Sequence, residues 1–245
     1  MNKLLQIASF SVLIGAGYAA ATTKAVADID SNQDAGQIVA FGDVHGGYQE
    51  LRALLEALEI IDAEGTWIGG RTRLVSLGDL LDRGPDSRQV MDLLMRLEAE
   101  AEAAGGAFHL VLGNHEIMNL VGDLRYVARE EYAAFAAEED PAVRAAAERA
   151  DAAARETAAA AGQTSSAIAP GEALPKAPFE QRYPPGFFGH RAAFRPNGHY
   201  GRWLLSKSQI LILEDKAFVH GGLSSYFVTK TAAAFNAAAK EELTA

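Results

Sequence analysis

Four short segments of the sequence hold side chains that could bind metal ions and move protons. They are Gly42-Asp43-Val44-His45-Gly46-Gly47, Gly78-Asp79-Leu80-Leu81-Asp82-Arg83-Gly84, Gly113-Asn114-His115-Glu116 and His220-Gly221-Gly222. Asp43 and His45 are two residues apart, so in an extended backbone their side chains point the same way and could bind one cation. Asp79 has two carboxylate oxygens that could bridge two cations, while Asn114 and His220 add an amide oxygen and an imidazole nitrogen. Nitrogen and oxygen ligands without sulfur suit Mn, Fe or Zn, and suit Ca or Mg less well.

The chemistry that such ligands favour is phosphoryl transfer. Two metal ions about 3.5–4 Å apart can hold a bridging hydroxide and clamp both ends of an in-line displacement at phosphorus. His115 could protonate the leaving oxygen, and Asp82 could fix the tautomer of His115 and raise its basicity. Arg83 offers a planar fork for phosphate oxygens. Each segment alone could be an ordinary turn, but four such segments in order favour one shared site.

The elements between these segments alternate between strand and helix, which predicts an α/β fold with helices over a sheet. Apolar runs predict strands at 38–41, 73–77, 108–112, 210–213 and 217–219, the last two forming a hairpin. Apolar stripes of helical period predict helices at 48–61 and 87–104. Each of the four segments begins where a predicted strand ends. Because the carboxyl ends of strands line the ligand crevice of an open α/β sheet, the four segments can meet in space.

The composition limits the classes of function that the chain can have. With 245 residues, of which 49% are hydrophobic and 22% charged, it is long enough for one enzyme domain and has ordinary globular composition. A formal net charge of −10 argues against a general nucleic-acid-binding surface. The absence of cysteine excludes disulfides, thiolate nucleophiles and zinc sites with sulfur ligands.

The sequence predicts a leader, one catalytic domain and an insertion within it. Residues 1–21 combine a basic start, an apolar run and small residues, as is typical of a cleaved secretory signal. We therefore expect export, to the periplasm, with no stable membrane association after cleavage. Residues 22–36 form a polar leader, and 37–245 form the domain. The Ala-rich segment at about 130–185 is expected to be a helical insertion that serves as a lid, binds a partner or is simply solvated.

The four segments resemble the signature blocks of the phosphoprotein phosphatase superfamily of dinuclear metallophosphoesterases. Residues 114–119, 122–127 and 189–204 are similar to the Shewanella-like phosphatase branch, and the resemblance covers 37–228. It implies the calcineurin-like metallophosphoesterase fold, a central β-sandwich flanked by helices. It also implies hydrolysis of phosphate monoesters, on phosphoprotein Ser/Thr or Tyr or on small molecules, by direct attack of a hydroxide that bridges two divalent ions.

The resemblance also assigns roles to individual residues. One metal ion, Mn²⁺ or Fe/Zn, is expected on Asp43, His45 and Asp79, and the other on Asp79, Asn114 and His220. His115 is expected to be the general acid, with Asp82 as its partner. Contacts to the substrate phosphate are expected from Arg83, Asn114 and Arg125.

One departure from the family pattern leaves alternatives open. The family supplies a further ligand histidine downstream of the His-Gly-Gly block, whereas no histidine follows His220 here. The sequence is therefore interpreted as C-terminally incomplete, since His190 and His199 are expected to be core or surface residues. A complete chain could instead be a non-catalytic protein that binds phosphate and metal. Hydrolysis of dinucleoside polyphosphates is a third interpretation, because a relative with similar motifs has that activity, although export argues against a cytosolic substrate.

Overall fold

The computed structural model describes residues 36–160, 177–223 and 230–244, together with the backbone of 6–8. A four-stranded parallel sheet has the order β1 (Gln6–Ala8), β2 (Ile38–Phe41), β3 (Arg73–Ser76) and β4 (Ala107–Leu110). The register places Val39 beside Leu74 and Leu74 beside Phe108. Apart from that short backbone segment and residue 36, the predicted secretory signal and polar leader lie outside the described residues.

A second layer covers one face of this sheet. It is the antiparallel hairpin of β5 (Ile210–Leu213) and β6 (Lys216–Val219). Ala40, Val75 and Val111 of the first layer pack with Phe218 of the hairpin in a separate apolar cluster. This confirms the predicted α/β fold of two sheets and flanking helices.

Two amphipathic helices, α1 (Tyr48–Ala57) and α2 (Ser87–Ala103), contribute buried leucines to the larger core with Phe41, Leu74 and Phe108. Successive strand residues point to opposite faces, which explains why Phe41 joins this core while Ala40 faces the hairpin. The first helix ends earlier than predicted. The amides of Ile60 and Ile61 donate to the carbonyl of Leu55, and this turn brings both isoleucines into the core.

The remaining helices follow β4, and all of them except the last precede the hairpin. They are α3 (Asn114–Val121), a 3₁₀ helix (Glu131–Glu138), α4 (Pro141–Ala160), α5 (Phe179–Arg182), α6 (Phe187–Phe194), α7 (His199–Leu204) and α8 (Ala232–Thr244). The Ala-rich segment has two different parts. Glu131, Tyr132 and Phe135 of the 3₁₀ helix are buried, whereas every residue of α4 is at least partly exposed. Within the described residues, no helix has the length and apolar character needed to cross a bilayer.

Candidate metal centre and acid–base pair

The turns that follow β2 and β3 are joined by backbone hydrogen bonds. The amides of Val44 and His45 both donate to the carbonyl oxygen of Asp79, at 2.9 and 3.0 Å, and Gly46 N donates to Leu80 O at 2.8 Å. The first two motifs are therefore held together by main-chain contacts before any side chain is considered.

The turns after β3 and β4 also approach closely, and glycine makes the approach possible. Gly78 has φ of +99°, and a Cβ there would lie 2.5 Å from Gly113 N. A Cβ on Gly113 would in turn lie 2.3 Å from Asp79 Oδ1. A side chain at either position would therefore push the two turns apart.

Glu116 joins these same turns through its buried carboxylate. Its oxygens accept hydrogen bonds of 2.8 Å from the amides of Asp79, Leu80 and Gly113. Burial raises the pKa of Glu116, and these amide donors oppose that shift. The sequence motifs by themselves assign no role to Glu116. Its position three residues after Gly113, at the start of a helix, is the capping-box spacing that could have identified it.

The predicted metal ligands converge on the Asp79 carboxylate. Oδ2 of Asp79 lies 3.9 Å from His45 Nε2 and 3.3 Å from His220 Nε2, and Asp43 Oδ2 lies 3.7 Å from His45 Nε2. With metal–ligand bonds of about 2.1 Å, two ligands on one ion lie about 3.0–4.2 Å apart, so these separations suit shared cations. Asn114 Oδ1 is 3.2 Å from His220 Nε2 and completes the cluster.

Two groups of three side chains can each surround a cation, and both contain Asp79. One is His45, Asp79 and His115; the other is Asp43, Asp79 and His220. The second group, with Asn114 beside it, includes the predicted ligands of the second ion. His115 enters the first group because its Nε2 is also 3.9 Å from Asp79 Oδ2.

The histidine tautomers fit a metal centre. Nδ1 of His45 donates to Leu81 O at 3.0 Å, and Nδ1 of His220 donates to Leu77 O at 2.8 Å. In each neutral ring the Nε2 lone pair would then face the carboxylates, in the position of a metal-binding atom. Within the described part of the chain, the buried Nε2 of His45 has no hydrogen-bond partner, as expected for an atom that binds a cation.

The pKa values of His220 and Asp79 also indicate a site that favours a cation. A hydrogen bond with Asp79 raises the pKa of His220 to about 9, against the opposing effect of burial. Burial tends to raise the pKa of Asp79, but hydrogen bonds from His220 and from the His115 amide outweigh it and lower the pKa. The cluster therefore stabilises positive charge at its centre.

His115 and Asp82 form a buried pair beside this cluster. Nδ1 of His115 donates to Asp82 Oδ2 at 2.7 Å, and Asn119 Nδ2 donates to the other carboxylate oxygen at 2.9 Å. This arrangement sets the tautomer of His115 and turns its Nε2 towards Asp79. Asn119 lies one helical turn after His115 on α3, a spacing that could have suggested its role.

Arg83 and Tyr126 lie at the exposed side of the pair. Arg83 Nη2 is 3.4 Å from His115 Nε2, and its backbone amide donates to Tyr126 O at 2.9 Å. The ring of Tyr126, 47% exposed, lies 5.2 Å from the His115 ring. No sequence motif predicts a role for Tyr126.

The other predicted site residues lie in different surroundings. Arg125 is exposed and forms a two-point ion pair with Asp123, at 2.9 and 2.7 Å. His190 is buried against the rings of Tyr132, Phe135 and Phe194, which agrees with the expectation of a core histidine. Burial lowers the pKa of His190 to about 3, so it is neutral at pH 7.

Comparison with protein families matches residues 36–237 to the calcineurin-like phosphoesterase model. Shewanella-like protein phosphatase 2 of Arabidopsis thaliana is 33% identical over 198 residues, which are 76% of this chain and 46% of the relative. The symmetrical bis(5'-nucleosyl)-tetraphosphatase of Proteus mirabilis is 37% identical over 91 residues, covering 37% of this chain and 28% of that protein.

A solved structure shares the fold. The crystal structure of the cold-active protein-tyrosine phosphatase of a psychrophilic Shewanella species matches with a TM-score of 0.56 and 30% identity. The match covers 85% of this chain and 49% of that one. The chain thus spans about half the length of the Arabidopsis relative and of the Shewanella phosphatase.

Proposed function

The chain belongs to the calcineurin-like phosphoesterase family, and from this premise we propose that it hydrolyses phosphate monoesters with two bound divalent metal ions. One observation carries the proposal: His115 Nε2 lies 3.9 Å from Asp79 Oδ2, the carboxylate that both candidate metal groups share. A proton donor and the metal ligands therefore face the same space. A phosphate ester bound there would meet both at once.

The chain's own residues would divide the work among binding, orientation and proton transfer. The residues that would hold the ions are Asp43, His45, Asp79, Asn114 and His220. When bound, divalent ions lower the pKa of water and neutralise charge on phosphoryl oxygens; we propose Mn²⁺, with Fe or Zn as alternatives. Arg83 would hold a phosphate oxygen through its planar guanidinium.

His115 is the residue that would transfer the proton in this reaction. As the bond from phosphorus to the leaving oxygen breaks, that oxygen takes the proton from His115 Nε2 and departs as an alcohol. Asp82 accepts the hydrogen bond from His115 Nδ1 throughout, so the ring keeps its orientation. The water molecule whose oxygen forms the new bond to phosphorus also supplies the proton that restores Nε2. Inorganic phosphate is the other product.

The substrate class we propose is a phosphoprotein or small monoester whose leaving group is aromatic, as is the tyrosine side chain released from phosphotyrosine. Since the general acid must contact the leaving oxygen, the leaving group must lie beside His115 and hence beside the half-exposed ring of Tyr126. Aromatic pairs favour such contacts by about 0.5–1.5 kcal/mol. The name of the Shewanella relative, a protein-tyrosine phosphatase, supports this choice. The shorter match to a tetraphosphatase supports dinucleoside polyphosphates less.

The test is hydrolysis of p-nitrophenyl phosphate with added Mn²⁺ by the wild type and Asp79→Asn. Because one carboxylate serves both metal groups, we expect the variant to lose activity and most of its bound metal. Asparagine tolerates the positive φ of Asp79, +54°, so the fold should persist. Asp215→Asn, at an 82% exposed side chain in the β5–β6 turn, is the matched control.

Normal turnover in Asp79→Asn would rule out the dinuclear site. If the wild type is active, its rates of hydrolysis of a phosphotyrosine peptide, a phosphoserine peptide and diadenosine tetraphosphate would rank the substrate classes. A folded wild type that binds metal and inorganic phosphate but turns over no ester would be the non-catalytic binding protein.

A further inference from the structure

Glu131 is a buried carboxylate outside the metal centre. It begins the 3₁₀ helix and is 1% exposed. Its Oε2 accepts the Ser87 amide at 2.8 Å and its Oε1 accepts the Arg88 amide at 3.0 Å. Both carboxylate oxygens therefore hold the first turn of α2, whose amides have no partner within the helix.

Ser87 continues this contact towards the site. Its buried hydroxyl oxygen accepts the backbone amide of Asp82 at 3.1 Å. Asp82 has φ of +69°, a conformation that a non-glycine residue keeps only when its surroundings impose it. The hydroxyl of Ser87 is one of those surroundings, and Glu131 holds the backbone from which that hydroxyl projects.

Asp82 then determines the orientation of His115. The 2.7 Å contact from Asp82 Oδ2 to His115 Nδ1 sets the direction of the ring, because the other carboxylate oxygen is occupied by Asn119. A shift of the Asp82 backbone would therefore turn the His115 ring and move Nε2. Four residues from three separate segments thus form one buried chain of hydrogen bonds.

We propose that Glu131 is a positioning residue for the general acid, acting through Ser87 on Asp82 and so on His115. The inference rests on the proposed function, since it assumes that His115 delivers a proton. A simple capping role for Glu131 would stabilise α2 without affecting proton transfer. A positioning role predicts a larger loss of kcat for substrates whose leaving oxygen needs a proton, whereas a capping role predicts no such difference between substrates.

The kinetic test compares phenyl phosphate, whose leaving oxygen needs a proton, with p-nitrophenyl phosphate, which needs it less. Glu131→Gln keeps the side-chain size but turns one acceptor into a donor that faces an amide. We expect kcat for phenyl phosphate to fall about 10- to 100-fold, with a smaller loss for p-nitrophenyl phosphate and unchanged KM and bound Mn²⁺. Glu130→Gln, at the exposed preceding residue, is the matched control and should behave as wild type.

A double-mutant cycle separates positioning from stability. In a His115→Ala background, Glu131→Gln should cause no further loss of kcat, because the residue that it positions is gone. An undiminished loss in that background overturns the inference. Wild-type kinetics in Glu131→Gln would overturn it as well.

A readout without turnover distinguishes this inference from the proposed function. The Nδ1 proton of His115, followed by NMR in the full chain, should shift in Glu131→Gln and Ser87→Ala but not in Glu130→Gln. An unmoved resonance in both variants overturns the inference even if the wild type is active. If the resonance shifts in both variants while the wild type hydrolyses no ester, the proposed function is overturned and the positioning chain remains supported.

Discussion

Four non-glycine residues at the candidate site have a left-handed backbone. His45, Asp79, Asp82 and Arg83 have φ between +50° and +69°. Such conformations cost of order 1–3 kcal/mol each and persist where surrounding contacts impose them. Here those contacts are visible: the carboxylate of Glu116 binds the amide of Asp79, and Tyr126 O binds that of Arg83. The fold holds these side chains in place at the expense of backbone strain.

At the same scale we predict the effect of His115→Ala. Loss of a general acid reduces turnover by about 10²–10⁴, while all five proposed ligands remain, namely Asp43, His45, Asp79, Asn114 and His220. Metal content should therefore stay near the wild-type value. Steady-state kinetics on phenyl phosphate together with metal analysis check both halves of the prediction. An unchanged rate would remove His115 from the mechanism.

Residue types and spacing were enough to predict that the side chains of Asp43, His45, Asp79, Asn114 and His220 lie close together. The motifs are local, and each follows a strand whose end is fixed by the sheet. The same reasoning missed Glu131 and Tyr126, because their partners lie 44 and 43 residues away, at Ser87 and Arg83. No local pattern encodes such contacts, which arise only when the helices pack.

Among the elements, the Ala-rich segment differs most from its sequence pattern. Its composition indicates a helix with a weak apolar face, and α4 fits that description. The 3₁₀ helix before it instead buries Tyr132 and Phe135, and Phe135 contacts His190, Phe194 and Tyr200. The burial of this short helix depends on α6 and α7, which lie far along the chain. Periodicity within the segment could not reveal it.

The packing of the 3₁₀ helix on α2 through Glu131 should make the stability of the fold depend on pH. Burial raises the pKa of Glu131 to about 7, from 4.5, against the hydrogen bonds of Ser87 and Arg88. Because the folded-state pKa is raised, the neutral form of Glu131 stabilises the fold. This contribution to the free energy of unfolding is complete below pH 4.5 and is lost as the pH rises through 7. A pKa change of this size corresponds to about 3 kcal/mol of the free energy of unfolding.

Urea unfolding of the metal-free chain between pH 5 and 8 measures this dependence. Glu131→Gln cannot ionise, so its stability should fall less with pH than that of the wild type. Glu130→Gln should follow the wild type. Parallel pH curves for wild type and Glu131→Gln would mean that the buried carboxylate does not titrate in this range.

For the whole molecule, the two-layer arrangement explains how distant ligands meet. The hairpin packs on the sheet through Phe218, and His220 follows immediately after β6. The alternation of strands and helices predicted a sheet covered by helices. It could not specify the face on which the hairpin packs, because that depends on the apolar surface that Ala40, Val75 and Val111 create together.

Metal binding should stabilise the whole fold, because the ligand set exists only in the native state. At 100 times the dissociation constant, a ligand adds about 2.7 kcal/mol, which for a domain of this size raises Tm by about 5–10 °C. Thermal melts with Mn²⁺ and with EDTA measure the shift. Asp79→Asn should shift less and Asp215→Asn as much as wild type. Equal melting temperatures for the wild type with and without metal would contradict native-state binding.

The hydrogen bond from His220 Nδ1 to Leu77 O spans 143 residues of chain. Closing so long a loop costs conformational entropy, so we expect this contact to form late in folding. The second group of metal ligands is therefore incomplete in the transition state if the hairpin docks after the parallel sheet has formed. On that order of events, a bound ion would slow unfolding while leaving the folding rate almost unchanged, and its protection would be kinetic as well as thermodynamic.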